Sequence, residues 1–349
     1  MLHRRTFLVG SALAVTSRTF AADREPLGAG QIGVRHSHAA GKFEALRHLT
    51  NDYRVVGIAE AHAASRAAAE KNKAYAGVPF IDEAALLHDK AVRVLAIETA
   101  LEDATATARR ALAAGKHLHL DKPGGTDHAA FKVMRQDAED RGLIVQMGYM
   151  LRHQPAFQRL FRTVKDGALG DIQEITATMG KQASPALRKE LAAIPGHGMF
   201  ELGCHLVDAV VTLLGPPPKV IASAAKSQDD GLPDHQLAVF EYPRAIVALR
   251  CNHNDPGGGG RRAFTVVGSQ GTLELAPLES GRGVLTLAKP WDEFKAGRHE
   301  FTLPQPRGRY DEEFVALAKW IRGEEKSPWN AAHDIAVHAS ALQAAGVDA

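Results

Sequence analysis

The sequence predicts an α/β fold, a doubly wound parallel sheet followed by an α+β domain with a mainly antiparallel open sheet. Three observations carry this. Short apolar runs alternate with helical segments from Gln31 to Met147, as in a parallel sheet covered by helices. Beyond Leu151 the chain turns to strands punctuated by glycine, proline and aspartate, as in an antiparallel sheet. At 349 residues with 45% hydrophobic content, the chain is long enough for two packed domains.

In chain order, strands are expected at Gln31–Val34, Arg54–Ala59, Val78–Ile81, Val92–Ile97, His117–Leu120 and Leu143–Met147, about six in all. Helices are expected between them, near residues 41–49, 61–74, 83–88, 102–114 and 127–141. An amphipathic helix at Pro155–Lys165 opens the second domain, with Phe157, Leu160, Phe161 and Val164 at helical spacing and therefore in the core. Strands then follow at Ile172–Met179, Val220–Ala224, Gln236–Phe240, Ala245–Asn252, Ala263–Val267 and Gly271–Leu275. The helix Leu202–Leu214 sits between the first two. Two more amphipathic helices, within 312–321 and 330–345, end the chain. The expected division is a leader over 1–22, a nucleotide-binding domain over 30–150, a substrate and oligomerisation domain over 151–307, and terminal helices over 308–349.

A net charge of +2 and the lack of any basic block argue against a nucleic-acid partner, so a small molecule is expected. No apolar run is long enough to span a membrane. Cys204 and Cys251 are too few for a disulfide framework. The opening Met1-Leu2-His3-Arg4-Arg5-Thr6-Phe7-Leu8-Val9-Gly10 places an arginine pair before a modest apolar run, and Thr19-Phe20-Ala21-Ala22 supplies small residues for cleavage. This pattern resembles a twin-arginine export signal and predicts a periplasmic or otherwise exported protein.

The chemistry is expected at Asp121-Lys122-Pro123. The strand Gly115-Lys116-His117-Leu118-His119-Leu120 delivers Lys122 to its carboxyl end, where ligands bind in such sheets, and desolvation there is expected to move the lysine toward a useful pKa. A second constellation is Glu201-Leu202-Gly203-Cys204-His205. An i, i+4 pair on a helix shares one face, so Glu201 could orient His205 as a proton carrier; a plain core histidine is the competing reading. The His36/His38 and His117/His119 pairs lack a third ligand at any recognisable spacing, so no metal site is expected.

The first loop, Gly33-Val34-Arg35-His36-Ser37-His38-Ala39-Ala40-Gly41, lacks the central glycine of a G-x-G-x-x-G fingerprint, although Gly33 can make its first turn and Ser37 with the helix-start amides can meet phosphate. Glu60, at the end of the second strand, can accept a ribose 2′-OH and repel a 2′-phosphate, which favours NAD over NADP. A helix N-terminal acid is the other reading of Glu60.

Together these motifs resemble the glucose-fructose oxidoreductase and inositol dehydrogenase family, Gfo/Idh/MocA. Its E-K-P stands here as Asp121-Lys122-Pro123 after Gly115-Lys116-His117-Leu118. Its D-x-G-x-H stands as Glu201-Leu202-Gly203-Cys204-His205, and its V-G-Y as Met147-Gly148-Tyr149 with Arg152 and His153 following. The sequence departs from the family in its loop glycines, in Glu98-Thr99-Ala100 where the family has a T-P turn, and in Ala104 where it often has histidine. The resemblance implies an N-terminal Rossmann domain holding NAD(P) and a C-terminal sheet that covers the nicotinamide and often mediates homo-oligomers. It implies Lys122, His205 and Glu201 as catalytic residues. It implies Gly33, His36, Ser37, His38, Glu60, Glu98, Thr99, Asp121 and Lys122 at the cofactor, and Tyr149, Arg152 and His153 at a sugar or polyol substrate. Hydride transfer from a hydroxyl-bearing carbon to tightly held NAD is the leading expectation. An NAD-dependent glycosidase and a non-catalytic sugar-binding or regulatory protein are the alternatives.

Overall fold

The computed structural model describes residues 25–348, so the arginine pair and the apolar run of the leader lie outside the described residues. The first unit is a parallel sheet of β1 (Leu27–Ile32), β2 (Tyr53–Ala59), β3 (Val92–Ile97), β4 (His117–Leu120) and β5 (Val145–Met147). The crossovers are α1 (Ala39–His48), α2 (Ala63–Ala69), α3 (Glu83–His88), α4 (Leu101–Ala113) and α5 (His128–Asp140). Strand order is β2-β1-β3-β4-β5, so the winding direction reverses between β1 and β3 and leaves a crevice at their carboxyl ends.

Two expectations are corrected here. The sheet has five strands because Val78–Ile81 contributes only a bridge from Phe80 to Ile58. The first strand begins at Leu27, not Gln31, and ends before Gly33. Its glycines disguise it: a Cβ on Gly28 would lie 1.9 Å from the Ala91 carbonyl oxygen, and one on Gly30 would lie 2.9 Å from Leu86 Cδ2. Close approach of backbone at Gly28 and of leucine side chains at Gly30, not strand propensity, selects those residues.

The second unit begins with a 3₁₀ turn over Met150–His153 and α6 (Pro155–Lys165). Then come β6 (Ile172–Gly180), α7 (Pro185–Ala193), a π-helical turn over Met199–Gly203 and α8 (Cys204–Leu214). The sheet is completed by β7 (Lys219–Ala225), β8 (His235–Glu241), β9 (Ile246–Asn252), β10 (Ala263–Gly268), β11 (Gly271–Leu275), β12 (Arg282–Leu287) and β13 (Gly297–Thr302). Its order is β13-β12-β11-β10-β6-β9-β8-β7, antiparallel throughout except for the parallel pair β6–β9. The strands β12 and β13 and the helix α7 were not anticipated. Gly-Arg-His-Glu-Phe-Thr on the edge strand β13 is mostly polar and half exposed, and so gives little hydrophobic alternation.

The last two helices, α9 (Asp311–Ile321) and α10 (Ala331–Ala344), join the units. Tyr53 Oη of β2 donates to the Phe314 carbonyl of α9 at 2.6 Å. His338 of α10 stacks on Phe131 of α5, with ring centroids 4.4 Å apart. α8, apolar around most of its circumference, is buried between α10 and β6 of the second sheet.

Candidate functional site

Lys122 follows β4 directly and is buried, with 1% of its side chain exposed. Its ammonium donates to the Glu201 carbonyl oxygen at 2.6 Å and to Glu201 Oε1 at 2.8 Å. Glu201 Oε2 is 3.5 Å from Lys181 Nζ and 4.0 Å from His253 Nε2. The expected downward shift of Lys122 is therefore corrected. Burial is the largest single effect and acts to lower its pKa, but Glu201, Cys204 and Asp121 together outweigh it and the net direction is upward. Glu201 is burdened by burial too, yet the two lysines hold its carboxyl below the usual range.

The expected pairing of Glu201 with His205 is not made: Glu201, in the π-helical turn that precedes α8, gives its carboxylate to Lys122 and Lys181. His205 is buried, and its Nδ1 has no hydrogen-bond partner. Burial, then the positive charge of Lys122, pushes the imidazole well below its ordinary pKa, so it is neutral at pH 7. The Tyr149 ring stands edge-on to it, centroids 6.0 Å apart, and Tyr149 Oη is buried without a partner. Two unpartnered polar groups thus lie near a buried ammonium, and each is free to meet a hydroxylated ligand.

The loop after β1 turns at Gly33, whose φ of +88° and 2.6 Å separation between an added Cβ and Thr99 N exclude a side chain. Glu60 follows β2 and accepts from the amides of Val34 at 2.9 Å and His62 at 2.7 Å. Gly33, Arg35, Glu60, Thr99 and Asp103 line a cavity of about 300 Å³ at the carboxyl ends of β1, β2 and β3. A second cavity of about 480 Å³, on the other side of the loop, is lined by His36, exposed Ser37, Ser65 and Tyr75. The crevice and the glycine turn fit the nucleoside half of a dinucleotide, with Glu60 on its wall. The amides of Arg35 and His36 are turned inward to the Glu98 carbonyl, both at 3.1 Å, which leaves the Ser37 amide and side chain to meet phosphate.

Behind the loop is a polar cluster that was only partly legible. His36 Nδ1 is 2.6 Å and His38 Nδ1 3.1 Å from Asp121 Oδ2. Lys42, fully buried on α1, lies 3.3 Å from Asp121 Oδ1, 2.6 Å from His119 Nε2 and 3.8 Å from Glu313 Oε2. Burial pushes His38 down to about 4, whereas His36 and Lys42 outweigh burial at Asp121 and hold its carboxyl well below the usual range. A Cβ on Gly148 would lie 2.4 Å from Lys42 Nζ and 2.7 Å from Asp121 Oδ1, so only glycine admits this pair. Sequence reasoning missed Lys42, Lys181, His253 and Glu313. Only Lys42, one turn after His38 on a helix with an otherwise apolar buried face, carried a local signal.

Of the three expected substrate residues, Tyr149 faces His205 and the other two are placed elsewhere. Arg152 grips Asp208 through Nε and Nη2 and reaches Asp334 at 2.7 Å; all three are buried, and Asp334 also meets Arg135 at 2.7 Å. This network ties the 3₁₀ turn, α8, α10 and α5 together. His153 packs between the Trp320 and Trp329 rings, where burial pushes it down to about 3.

Residues 27–149 match the family described as "Oxidoreductase family, NAD-binding Rossmann fold", and residues 157–274 match the "GFO/IDH/MocA C-terminal domain". The chain belongs to the GFO/IDH/MocA oxidoreductase family, and its first unit is that family's NAD-binding Rossmann fold. It is 26% identical over 230 residues to trans-1,2-dihydrobenzene-1,2-diol dehydrogenase of Bos taurus, a match spanning 64% of each chain. Its fold is similar to that of a levoglucosan dehydrogenase in complex with NADH and levoglucosan, with a TM-score of 0.78 and 18% identity over 92% of this chain and 98% of the other. It is likewise similar to UDP-N-acetylglucosamine 3-dehydrogenase from Acidithiobacillus ferrooxidans, with a TM-score of 0.76 and 18% identity over 93% and 98% of the two chains.

Proposed function

We propose that the protein is an NAD-dependent dehydrogenase acting on a secondary hydroxyl of a sugar, polyol or glycoside. The observation that carries this reading is the convergence of a buried ammonium, Lys122, and a neutral unpartnered imidazole, His205, on the carboxyl end of β4, beside the switch point of an NAD-binding fold. Similarity to dehydrogenases of a dihydrodiol, an anhydrosugar and a nucleotide sugar supports the substrate class.

His205 takes the hydroxyl proton on its neutral ring, and burial favours that ring's uncharged form before the reaction. Lys122 has three N–H donors, of which Glu201 uses two; the third remains to stabilise the oxygen as it becomes an alkoxide. Glu201 fixes the ammonium in place and keeps it charged. NAD, when bound, supplies the hydride acceptor; Gly33, Ser37, Glu60 and Thr99 would hold it, and the Glu60 carboxylate selects against a 2′-phosphate.

The arginine pair before an apolar run supports export of the protein by the twin-arginine route to the periplasm, which carries proteins already folded. Scarce external NAD then favours a cofactor acquired before export and retained. The exposed Ile221, Leu237 and Ile246 on the outer strands β7, β8 and β9 support a homo-oligomer through that sheet face.

The test is absorbance and mass analysis of the protein purified without dialysis, followed by NAD and NADP titration. Retained NAD, with turnover of a polyol or sugar, supports the reading. Absence of both retained and titratable NAD overturns it in favour of a non-catalytic sugar binder. Release of nitrophenol from a nitrophenyl glycoside without net NAD reduction would replace it with a glycosidase.

A further inference from the structure

We propose that His36, His38 and Asp121 form a binding site for one divalent transition-metal ion, placed between the loop after β1 and the end of β4. This site adjoins the loop proposed to hold NAD and uses residues on which the hydride-transfer mechanism does not call for proton transfer.

The donor atoms already converge. One ligand atom from each of His36, His38 and Asp121 lies within 4.8 Å of the other two, and His36 Nδ1 and His38 Nδ1 are 2.6 and 3.1 Å from Asp121 Oδ2. Ligands on an ion at about 2.0–2.1 Å stand about 3.3 Å apart, so coordination moves both histidine nitrogens away from Asp121 Oδ2 and releases the His38 amide, which donates to His36 Nδ1 at 3.3 Å. The two imidazoles come from one H-x-H turn, and their planes are inclined at 72° with centroids 4.7 Å apart, which aims both Nδ1 atoms at the same carboxylate oxygen. Sequence spacing gave no third ligand, because Asp121 arrives from β4, the strand two positions from β1 in the sheet.

A second observation points the same way. The Glu98 carboxylate is fully buried, neither of its oxygens accepts a hydrogen bond, and Oε2 lies 3.7 Å from His36 Nδ1. Its carboxyl group is therefore an uncommitted oxygen donor facing the two histidines.

Two imidazoles with one or two carboxylates suit Zn²⁺, Fe²⁺, Co²⁺ or Mn²⁺, and disfavour the all-oxygen shells of Ca²⁺ and Mg²⁺. Three protein ligands leave at least one position for water or a substrate oxygen. His36 and His38 are 15% and 21% exposed, so an ion can enter from solvent.

The probes are Co²⁺ and Zn²⁺ added to the chelator-treated full-length protein. One Co²⁺ per chain is expected, with visible d–d absorption that one equivalent of Zn²⁺ abolishes. His36→Gln and His38→Gln should each weaken Co²⁺ binding about tenfold or more, and the double variant should remove the absorption. The surface variant His48→Gln should bind as the parent does. Should the double variant lose its cooperative melting transition, the two single variants decide. Absence of the d–d bands in the parent, or stoichiometric binding unchanged in the histidine variants, overturns the site. NAD titration of the same samples separates the two readings: NAD binding without Co²⁺ binding overturns the metal site alone, and Co²⁺ binding without NAD binding overturns the dehydrogenase alone.

Discussion

Lys122 Nζ lies 2.8 Å from Glu201 Oε1 and 2.6 Å from the carbonyl oxygen of the same residue, so one glutamate uses two of the three donors of a buried ammonium. The glutamate arrives from a π-helical turn in the second unit and the lysine from the end of a strand in the first. The two domains thus meet at the group proposed to stabilise the alkoxide. Lys122→Met is expected to lower kcat about 10²–10³-fold, the usual loss for one preorganised donor to a developing oxyanion, with NAD affinity little changed. Glu201→Gln keeps an acceptor for Lys122 but removes the charge, and is expected to cost less than Lys122→Met. Steady-state kinetics on the best substrate, with a parallel NAD titration, check both; full turnover by Lys122→Met refutes the role of the lysine.

Arg152 makes a different prediction. Its guanidinium is buried between Asp208 and Asp334 and also lies 4.8 Å from the Tyr149 ring and 4.7 Å from the Trp329 ring. Arg152→Ala removes the guanidinium shared by two buried carboxylates, leaving Asp208 with His333 and Asp334 with Arg135, and is expected to destabilise the protein by up to about 3–5 kcal/mol. Arg152→Lys is expected to recover little of this, because a single ammonium cannot reproduce the fork on Asp208. Urea unfolding reads the loss; unchanged stability with a raised KM would return Arg152 to the substrate pocket.

The parallel sheet, the switch point and the strand-end lysine were legible because alternating apolar runs and a G-K-H-L-H-L-D-K-P stretch carry local signals. The rest depended on contacts that no spacing records. Gly28 and Gly30 hide a strand because close approach of the Ala91 backbone and of the Leu86 and Leu95 side chains, not an alternating pattern, selects them. Glu201 gives its carboxylate to Lys122, which arrives from the other unit, and not to His205. Asp208 and Asp334, which capture Arg152, are 126 residues apart in the chain and meet only when α10 packs against α8.

Buried neutral histidines set the acid limit of stability. Burial pushes His253 and His338 down to about 4, and His153 down to about 3, whereas an unfolded histidine titrates near 6.5. Between those values the unfolded chain binds more protons, so stability is complete above about pH 6.5 and falls as pH drops toward 4. Each fully buried imidazole is expected to cost on the order of 1–2 kcal/mol at pH 5. The melting temperature should therefore decline steadily from pH 7 to pH 5, and His338→Asn should flatten part of that decline, since it removes a titrating ring that donates to the Gly125 carbonyl at 3.1 Å. A melting temperature flat between pH 7 and 5 would contradict this.

Glu60 joins loop architecture to cofactor choice. Its carboxylate accepts from the Val34 amide with one oxygen and the His62 amide with the other, so it ties the loop after β1 to the start of α2 while lining the cavity at the switch point. The remaining lone pairs are available to a ribose 2′-OH, and the negative charge opposes a 2′-phosphate. Glu60→Gln retains an acceptor for one amide and removes the charge, and is expected to weaken NAD about threefold to tenfold, consistent with loss of one charge-assisted hydrogen bond. The same change should narrow the preference for NAD over NADP, because the repulsion of the 2′-phosphate disappears with the charge. The arginines nearest that wall are already engaged, Arg66 by Glu70 and Arg35 by Glu102 and Asp103, so the variant is not expected to prefer NADP outright. Fluorescence titration with both reduced dinucleotides measures the ratio, and an unchanged ratio would leave Glu60 as a helix-start acid with no part in cofactor choice.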